Sequence, residues 1–236
     1  MCNRFTSIAP QIEIERRFEV QEAFYQTQPN FNISPRSNVA AVIQQETRQL
    51  HGMRWSLSLP WSKGKSPGEK SYVLTNVRRE SLQEKAYFQK MFERNRCVIP
   101  ASGFYEWKKV GSEKIPHYFQ LKSQELFGFA GVYRLERLKN EKQELTCAII
   151  TTEANDVVNP IHPRMPVILK PNYEKEWLDS TQETNNLQFC LDAYPAEQME
   201  GYMVSRRMNS PKFNSPKCIQ PYPQSHKQKT SLVDFF

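Results

Sequence analysis

The strongest constraint on the fold is a succession of β-type segments between residues 96 and 152. Four of them are rich in β-branched and aromatic residues: RCVIPASGFYEWKKV, HYFQLK, LFGFAGVYRL and LTCAIITT. Turns, and not long helices, separate these segments, which is typical of antiparallel pairing. We therefore predict an α+β fold, a single domain of mixed, largely antiparallel β-structure with a few helices, and not a doubly wound fold.

The rest of the chain adds shorter elements and a tail. The predicted elements are strands at 38–44, 49–59 and 71–76, a polar loop at 62–69, and helices at 9–20, 84–95 and 173–178. Three prolines in residues 159–166 favour an irregular or extended segment there. Residues 1–221 are predicted to form the domain, and residues 222–236 a flexible basic tail with an apolar end.

The composition limits the classes of site that the chain can carry. Five cysteines are scattered without a CxxC pair and four histidines are dispersed, so no disulfide framework, metal site or cofactor is expected. No apolar run approaches the ~18 residues that cross a bilayer, and the N-terminus lacks a secretory signal. We expect a soluble, intracellular monomer without a membrane partner: cytoplasmic and nucleoid-associated in a bacterium, nuclear in a eukaryote. The net charge of +7 is compatible with a nucleic-acid partner without requiring one.

Cys2 is the first candidate for chemistry. Removal of Met1 would leave an N-terminal cysteine whose α-amine and thiol lie on adjacent carbons. Such an amine condenses with an aldehyde to a Schiff base, and the thiol then closes a five-membered thiazolidine ring. An α-amine of pKa about 7.7–8.0 is partly neutral near pH 7. The alternative is that a cysteine at this position is incidental.

Glu106 and His162 are candidates for proton transfer. Glu106 lies in the aromatic segment SGFYEW, where burial would raise its pKa and suit it to acid–base chemistry. Simple alternation would instead place Tyr105 and Trp107 on one face and Glu106 in water. His162 lies between prolines in IHPRMP, and its imidazole titrates near neutrality. The alternative for His162 is an ordinary surface loop histidine.

Several polar and aromatic residues could contact a nucleic acid. Asn76 could orient a substrate hydroxyl while Arg78 contacts a phosphate, although a strand-ending asparagine before a solvated turn explains the same pattern. Arg164 could bind phosphate from the same side as His162. Trp55 is expected in the core, whereas Trp61 precedes the polar loop and is expected to stack on an unpaired base.

The combination and order of these segments resemble a known family. MCNRF, FNISP, MRWSLSLPW, LTNVR, RCVIPASGFYEW, IHPRMPVIL and VSRRMNSP are similar to the motifs of the SOS-response-associated peptidase (SRAP) family. The resemblance runs from Met1 to about Pro216. It implies a sensor of abasic sites in single-stranded DNA, which forms a covalent thiazolidine crosslink after Met1 is removed and so shields the lesion.

The resemblance also implies roles for individual residues. Cys2 matches the nucleophile, Asn76 the residue that orients the opened sugar, Glu106 the proton-transfer carboxylate and His162 its partner. The positions that match DNA contacts are Arg4, Trp61, Arg78 and Arg164. Autocatalytic removal of Met1 and a lyase side activity on abasic sites are further implied, although an ordinary aminopeptidase would remove Met1 equally well.

Some residues depart from the family pattern or lie beyond it. Asn3 replaces the usual glycine of MCGRF, and Gln89 stands where many members carry an arginine. The C-terminal residues KTSLVDFF are similar to peptides that bind a sliding clamp, which would engage Leu232, Phe235 and Phe236. The alternative is a tail that packs on its own domain.

Two other classes of function remain open from the sequence. One is a protease acting on protein substrates, although no Cys–His–Asn or Ser–His–Asp signature is recognisable. The other is a non-covalent single-stranded DNA-binding module, in which stacking and charge suffice and Cys2 has no role.

Overall fold

The computed structural model of the protein describes residues 2–59, 73–137 and 141–223. Within these ranges the chain forms a nine-stranded sheet, a five-stranded sheet and a two-stranded ribbon, accompanied by short helices. The strands are β1 (Phe5–Ser7), β2 (Glu22–Ala23), β3 (Asn30–Ile33), β4 (Asn38–Gln44), β5 (Arg48–Trp55), β6 (Leu57–Ser58), β7 (Val73–Leu74), β8 (Asn76–Arg78), β9 (Arg96–Ala101), β10 (Gly103–Val110), β11 (Glu113–Leu121), β12 (Phe127–Arg137), β13 (Gln143–Glu153), β14 (Arg164–Pro166), β15 (Ile168–Leu169) and β16 (Met199–Met203). The α-helices are α1 (Gln11–Arg17), α2 (Arg79–Glu84), α3 (Ala86–Arg94) and α4 (Glu174–Leu178). Short 3-10 helices lie at Pro171–Tyr173, Thr184–Leu191, Ala196–Gln198, Arg206–Asn209 and Pro216–Cys218. None of the helices in these ranges is long and apolar enough to span a membrane.

Five strands of the nine-stranded sheet close into a barrel-like ring. β13 pairs with β12, β12 with β9, β9 with β4 and β4 with β5, all antiparallel, and β5 returns to β13 through a short parallel pairing. Strand β4 is apolar on both faces because both are covered. Val39 and Ala41 pack in the cluster shared with the five-stranded sheet, whereas Ala40 and Val42 pack in the cluster that contains the helices.

The helices cover one side of this ring through narrow apolar stripes. On α3, Phe88, Met91 and Phe92 recur at helical spacing and are buried, and the Phe92 ring lies 5.7 Å from that of Trp177 on α4. Burial of each such side chain contributes about 1.5–3 kcal/mol to folding. Packing against the strands therefore holds short helices that would be marginal alone.

The five-stranded sheet has the order β16-β11-β10-β1-β3 and is antiparallel throughout. One face packs Phe5, Phe104 and Phe119 toward the nine-stranded sheet. The opposite face carries Tyr105 and Tyr118, which the segment 204–219 covers. Strand β10 therefore lies between two apolar layers, and this position decides the environment of its polar residues.

The predicted α+β class is confirmed, and most predicted elements lie where the pattern placed them. The strand at 38–44 is β4, and the helical spacing in 84–95 forms α3. The prediction that a strand ends at Asn76 is wrong, since Asn76 begins β8, which pairs in parallel with β13. The predicted loop at 62–69, the stacking residue Trp61 and the clamp-binding residues Leu232, Phe235 and Phe236 lie outside the described residues.

Candidate active site

The N-terminal residues lie against strand β10. β1 pairs with β10 so that Phe5 is opposite Phe104, and the Tyr105 amide donates a 2.9 Å hydrogen bond to the Arg4 carbonyl. This antiparallel register carries the chain ahead of Arg4 alongside Glu106. Cys2 is fully buried, and its thiol donates to the Arg4 carbonyl at 3.6 Å. The sheet thus places the predicted nucleophile in a closed position beside β10.

Asn76 fixes the backbone of Cys2. As the first residue of β8, Asn76 is opposite Ile149 of β13 and is buried. Its side-chain Nδ2 donates to the Cys2 carbonyl at 2.9 Å, whereas its Oδ1 is buried and has no hydrogen-bond partner among the described residues. A buried acceptor without a hydrogen-bond donor lowers the stability of the fold unless a ligand or water supplies the donor. Asn76 can therefore hold the N-terminal residue with one atom and accept from a substrate hydroxyl with the other.

Asn3, a departure from the family pattern, joins this arrangement. Its Oδ1 accepts hydrogen bonds from Thr75 Oγ1 at 3.1 Å and from Asn76 Nδ2 at 3.3 Å. A glycine at this position would have no side chain to make these bonds. The Asn3 side chain therefore links residue 3 to Thr75 and Asn76, at the start of β8. The second departure, Gln89 of α3, donates a side-chain hydrogen bond to the carbonyl of Gln83 in α2.

Glu106 is buried rather than solvated, which decides between the two alternatives that the sequence left open. Its side chain is 3% exposed, and Tyr105 and Trp107 face the opposite layer of the sheet. Burial disfavours the charged form and raises the pKa of Glu106 to about 7. Both forms of the carboxyl are therefore populated near neutral pH, as a group that gives and takes protons requires.

His162 comes to Glu106 from the other sheet. The turn 155–162 ends with the His162 amide donating to the Val158 carbonyl at 3.0 Å, and β14 then pairs with β13. The ring Nδ1 lies 4.0 Å from Glu106 Oε1. Burial lowers the pKa of His162, so the imidazole is mainly neutral at pH 7. The structure brings together four of the predicted residues: Cys2, Asn76, Glu106 and His162.

The Cys2 thiol is protonated in this environment. Burial raises its pKa far above the ordinary value, and the negative charge of Glu106 raises it further. A thiolate at Cys2 would therefore need Glu106 to be neutral or to accept the thiol proton itself.

The three described arginines that are predicted to bind phosphate differ in their surroundings. Arg78 is exposed at the end of β8. Arg4 donates to Asn32 Oδ1 at 2.7 Å and to the Met208 carbonyl at 3.3 Å. Arg164 is paired with Glu80. Phosphate binding by these residues remains a prediction, and Arg78 is the one of the three that lies open to solvent.

Two residues that contact the site, Thr75 and Glu80, carry no recognisable signal in the sequence. Each is joined to a site residue across a long stretch of chain, Thr75 to Asn3 and Glu80 to Arg164. No local motif predicts such partners, because the two residues of each pair come together only when β8 and β14 pair with β13. In the described part of the chain, no group of three or more histidine, cysteine or acidic residues is arranged to hold a metal ion.

Comparison with known proteins places this geometry in context. The chain is 39% identical to the abasic site processing protein YoqW of Bacillus subtilis over 227 residues, which cover 94% of this chain and all of that protein. It is 40% identical to YoaM of the same organism, also an abasic site processing protein, over 93% of this chain and 97% of the relative. The abasic site processing protein HMCES of Xenopus tropicalis is 29% identical over 87% of this chain and 70% of its own length.

The fold has been observed in a crystal structure. A Bacteroides thetaiotaomicron protein superposes with a TM-score of 0.83 at 23% identity, covering 94% of this chain and all of that chain. The model of one family, described as SOS response associated peptidase (SRAP), matches residues 1–211. The chain therefore belongs to the SRAP family.

Proposed function

We propose that this protein processes abasic sites in single-stranded DNA by forming a covalent thiazolidine between its N-terminal Cys2 and the aldehyde of the opened sugar. The observation that carries the proposal is the convergence of Asn76 and Glu106 on Cys2, the residue that becomes N-terminal when Met1 is removed. The names of the relatives, all abasic site processing proteins, support the substrate class.

The chemistry needs no cofactor. The α-amine of Cys2 adds to the aldehyde carbon, and loss of one water gives a Schiff base. The Cys2 sulfur then adds to the same carbon as the ring closes; the thiol proton replaces the one that was used to expel the water, and the nitrogen keeps its own. The overall step is a condensation that releases one water, with no change of oxidation state.

Glu106 and His162 supply the proton transfers. In its neutral form Glu106 donates to the departing hydroxyl, and as a carboxylate it then accepts the proton of the Cys2 thiol. A pKa of about 7 suits both steps, because neither form is scarce at neutral pH. Glu106 thereby regains the proton that it gave, and His162, with Nδ1 at 4.0 Å from the carboxyl, carries the proton that moves from the amine to the alkoxide when the amine adds to the aldehyde.

Asn76 and the buried position of Cys2 set the selectivity. A sugar without a base is small enough to reach a buried residue from which an intact nucleotide would be excluded, and the Oδ1 atom of Asn76, which has no partner among the described residues, accepts from its hydroxyl. Phosphate contacts by exposed Arg78 position the strand without reading its sequence. The selectivity is therefore for the missing base and not for a sequence.

Ring closure also protects the strand. A Schiff base at an abasic sugar permits β-elimination, which breaks the DNA. The thiazolidine removes the imine and so suppresses this lyase reaction. Replacing Cys2 by alanine keeps an N-terminal amine but removes the sulfur, so the variant should cleave abasic DNA instead of retaining it.

The test is a denaturing gel with a single-stranded oligonucleotide that contains one abasic site. We expect a heat-stable shifted band with the wild-type chain, no such band with Cys2→Ala, and an increase in strand cleavage with this variant. Cys190→Ala is the matched control, because Cys190 is also a buried free cysteine but lies in the helix-side core. A heat-stable crosslink that persists in Cys2→Ala would show that another residue is the nucleophile.

Further measurements on the same protein separate the other classes of function. Binding in a native gel without a heat-stable band would favour a non-covalent single-strand binding module. Cleavage of added peptides without any DNA adduct would favour a protease.

Mass spectrometry of the purified chain identifies the first residue, and an adduct on protein that retains Met1 would contradict the proposal. Comparing Met1 removal in wild-type and Glu106→Gln chains, produced without other aminopeptidases, tests whether the removal is autocatalytic.

A further inference from the structure

The ion pair between Glu80 and Arg164 connects two segments that carry site residues. Glu80 lies in the first turn of α2, four residues after Asn76, and Arg164 begins β14, two residues after His162. The Arg164 Nη1 and Nη2 atoms donate to the two carboxylate oxygens of Glu80 at 2.9 and 3.0 Å. The pair therefore closes a bridge between the chain that follows Asn76 and the chain that follows His162.

Strand β13 lies beneath this bridge. At Thr151 it pairs with β8 on one side and with β14 on the other. Arg164 Nη2 donates a third hydrogen bond, at 2.7 Å, to the Thr151 carbonyl. The guanidinium of Arg164 in β14 is thus bonded to Glu80, just after β8, and to Thr151 of β13, and these three bonds fix its position and its plane.

The burial of the two side chains differs in a way that indicates a structural use. The Arg164 side chain is 15% exposed and that of Glu80 is 43% exposed. Both terminal nitrogens of Arg164 already have partners. Arg164 therefore anchors its own backbone in the free protein.

The backbone of Arg164 contacts the His162 ring directly. Nδ1 of His162 lies 3.1 Å from the Arg164 amide nitrogen and 2.9 Å from the Arg164 carbonyl oxygen. A neutral ring with an unprotonated Nδ1 can accept from the amide, and a ring protonated at Nδ1 can donate to the carbonyl. One residue therefore offers a partner to either protonation state, on the nitrogen that faces Glu106 at 4.0 Å.

We propose that Glu80 is a positioning residue of this site: through Arg164 it fixes the peptide on which His162 exchanges its proton with Glu106. The inference deepens the proposed function and rests on it for the identity of the reaction. The positioning itself is a property of the free protein and can be measured without DNA.

The first measurement is an NMR titration of the His162 imidazole in the free protein. In Glu80→Gln the charge of Arg164, which already lowers the pKa of His162, is no longer neutralised, so the midpoint should move to lower pH. The matched control is Glu113→Gln, because Glu113 and Arg206 form a similar bidentate pair, at 2.8 Å, on the β11 side of the molecule. An unchanged His162 titration in Glu80→Gln would overturn the proposal.

The second measurement separates binding from reaction. We expect Glu80→Gln to slow crosslinking at saturating abasic DNA by about tenfold, as for a displaced proton-transfer group, and to shift its pH profile. Its affinity for an oligonucleotide with an unreactive tetrahydrofuran site should stay within about twofold of wild type. Arg164→Lys should slow the reaction similarly, and the double variant should be no slower than either single one, because both act through one contact.

A different pair of results would contradict the proposal. If Glu80→Gln bound DNA more tightly, with a steeper salt dependence and an unchanged crosslinking rate, Glu80 would be a shield over a phosphate ligand. If wild-type protein formed no crosslink at all, the proposed function would fail. The His162 titration would then still decide whether Glu80 holds the ring.

Discussion

At the scale of single residues, burial of Glu106 makes the stability of the fold depend on pH. The pKa of Glu106 is raised from 4.5 to about 7, so between these values the folded chain retains a proton that the unfolded chain has released. Stability from this group is therefore greatest at low pH and decreases as pH rises through 7. At about 1.4 kcal/mol per pH unit, the loss approaches roughly 3 kcal/mol.

Glu106→Gln should remove this dependence. We expect its free energy of unfolding to exceed that of wild type by about 3 kcal/mol at pH 8 and to match it within about 1 kcal/mol at pH 5. Urea unfolding at the two pH values measures both. Glu197→Gln is the control, because Glu197 is exposed and should show the same stability as wild type at either pH. An equal effect of Glu106→Gln at both pH values would mean that the carboxylate charge is compensated in the fold.

The sequence predicted the identity of the site residues better than their surroundings. Cys2, Asn76, Glu106 and His162 were found from motifs, and the structure brings them together. The burial of Glu106 was undecided, because a strand covered on both faces has no polar side for alternation to reveal. Glu80 was not found, since an ion pair between residues 80 and 164 exists only after β8 and β14 have joined β13.

At the scale of elements, Gly103 determines how β10 lies against its neighbours. The residue is opposite Thr6 of β1, and a Cβ atom added there would overlap the Tyr118 hydroxyl. That hydroxyl is itself fixed, at 3.0 Å from Thr6 Oγ1. The close approach of backbone and ring therefore requires glycine at the start of the strand that carries Glu106.

Gly103→Ala should displace this end of β10. We expect a loss of about 1–3 kcal/mol in the free energy of unfolding, from overpacking, together with slower crosslinking because Glu106 is three residues away. Gly111→Ala is the comparison, since Gly111 has a φ of 60° and open space around it. It should cost about 1 kcal/mol through backbone strain alone and leave the crosslinking rate unchanged. Wild-type stability and activity in Gly103→Ala would show that Tyr118 moves aside without cost.

Elements with local signals were predicted well, and elements with distant partners were not. The spacing of Phe88, Met91 and Phe92 predicted α3, and the apolar run at 38–44 predicted β4. The strand predicted at 71–76 was placed wrongly at its end, because the Thr75 carbonyl accepts from the Ile149 amide and Asn76 then starts a parallel pairing with β13. Parallel pairing joins segments far apart in the chain and leaves no local pattern.

At the scale of the whole molecule, the net charge of +7 does not show which cations are available to DNA. Several arginines are already paired: Arg17 with Glu174, Arg54 with Glu144, Arg79 with Asp192 and Arg164 with Glu80. The salt dependence of DNA binding counts the phosphates that are neutralised and not the net charge. Among the described arginines assigned to phosphate, Arg78 is exposed and next to the site, so its removal should be visible in that dependence.

Arg78→Gln should reduce the slope of log K against log salt concentration by about 0.7, the value for one phosphate contact on single-stranded DNA. The crosslinking rate at saturating DNA should be unchanged, because the guanidinium positions the strand and does not touch the reacting atoms. Arg137→Gln removes the same charge from an exposed position at the end of β12 and should leave the slope as in wild type. Titration of a fluorescent abasic-analogue oligonucleotide at several salt concentrations measures all three chains. Equal reductions in both variants would mean that the strand is held by the overall field of the protein, whereas a reduction confined to Arg78→Gln would locate one phosphate beside Asn76.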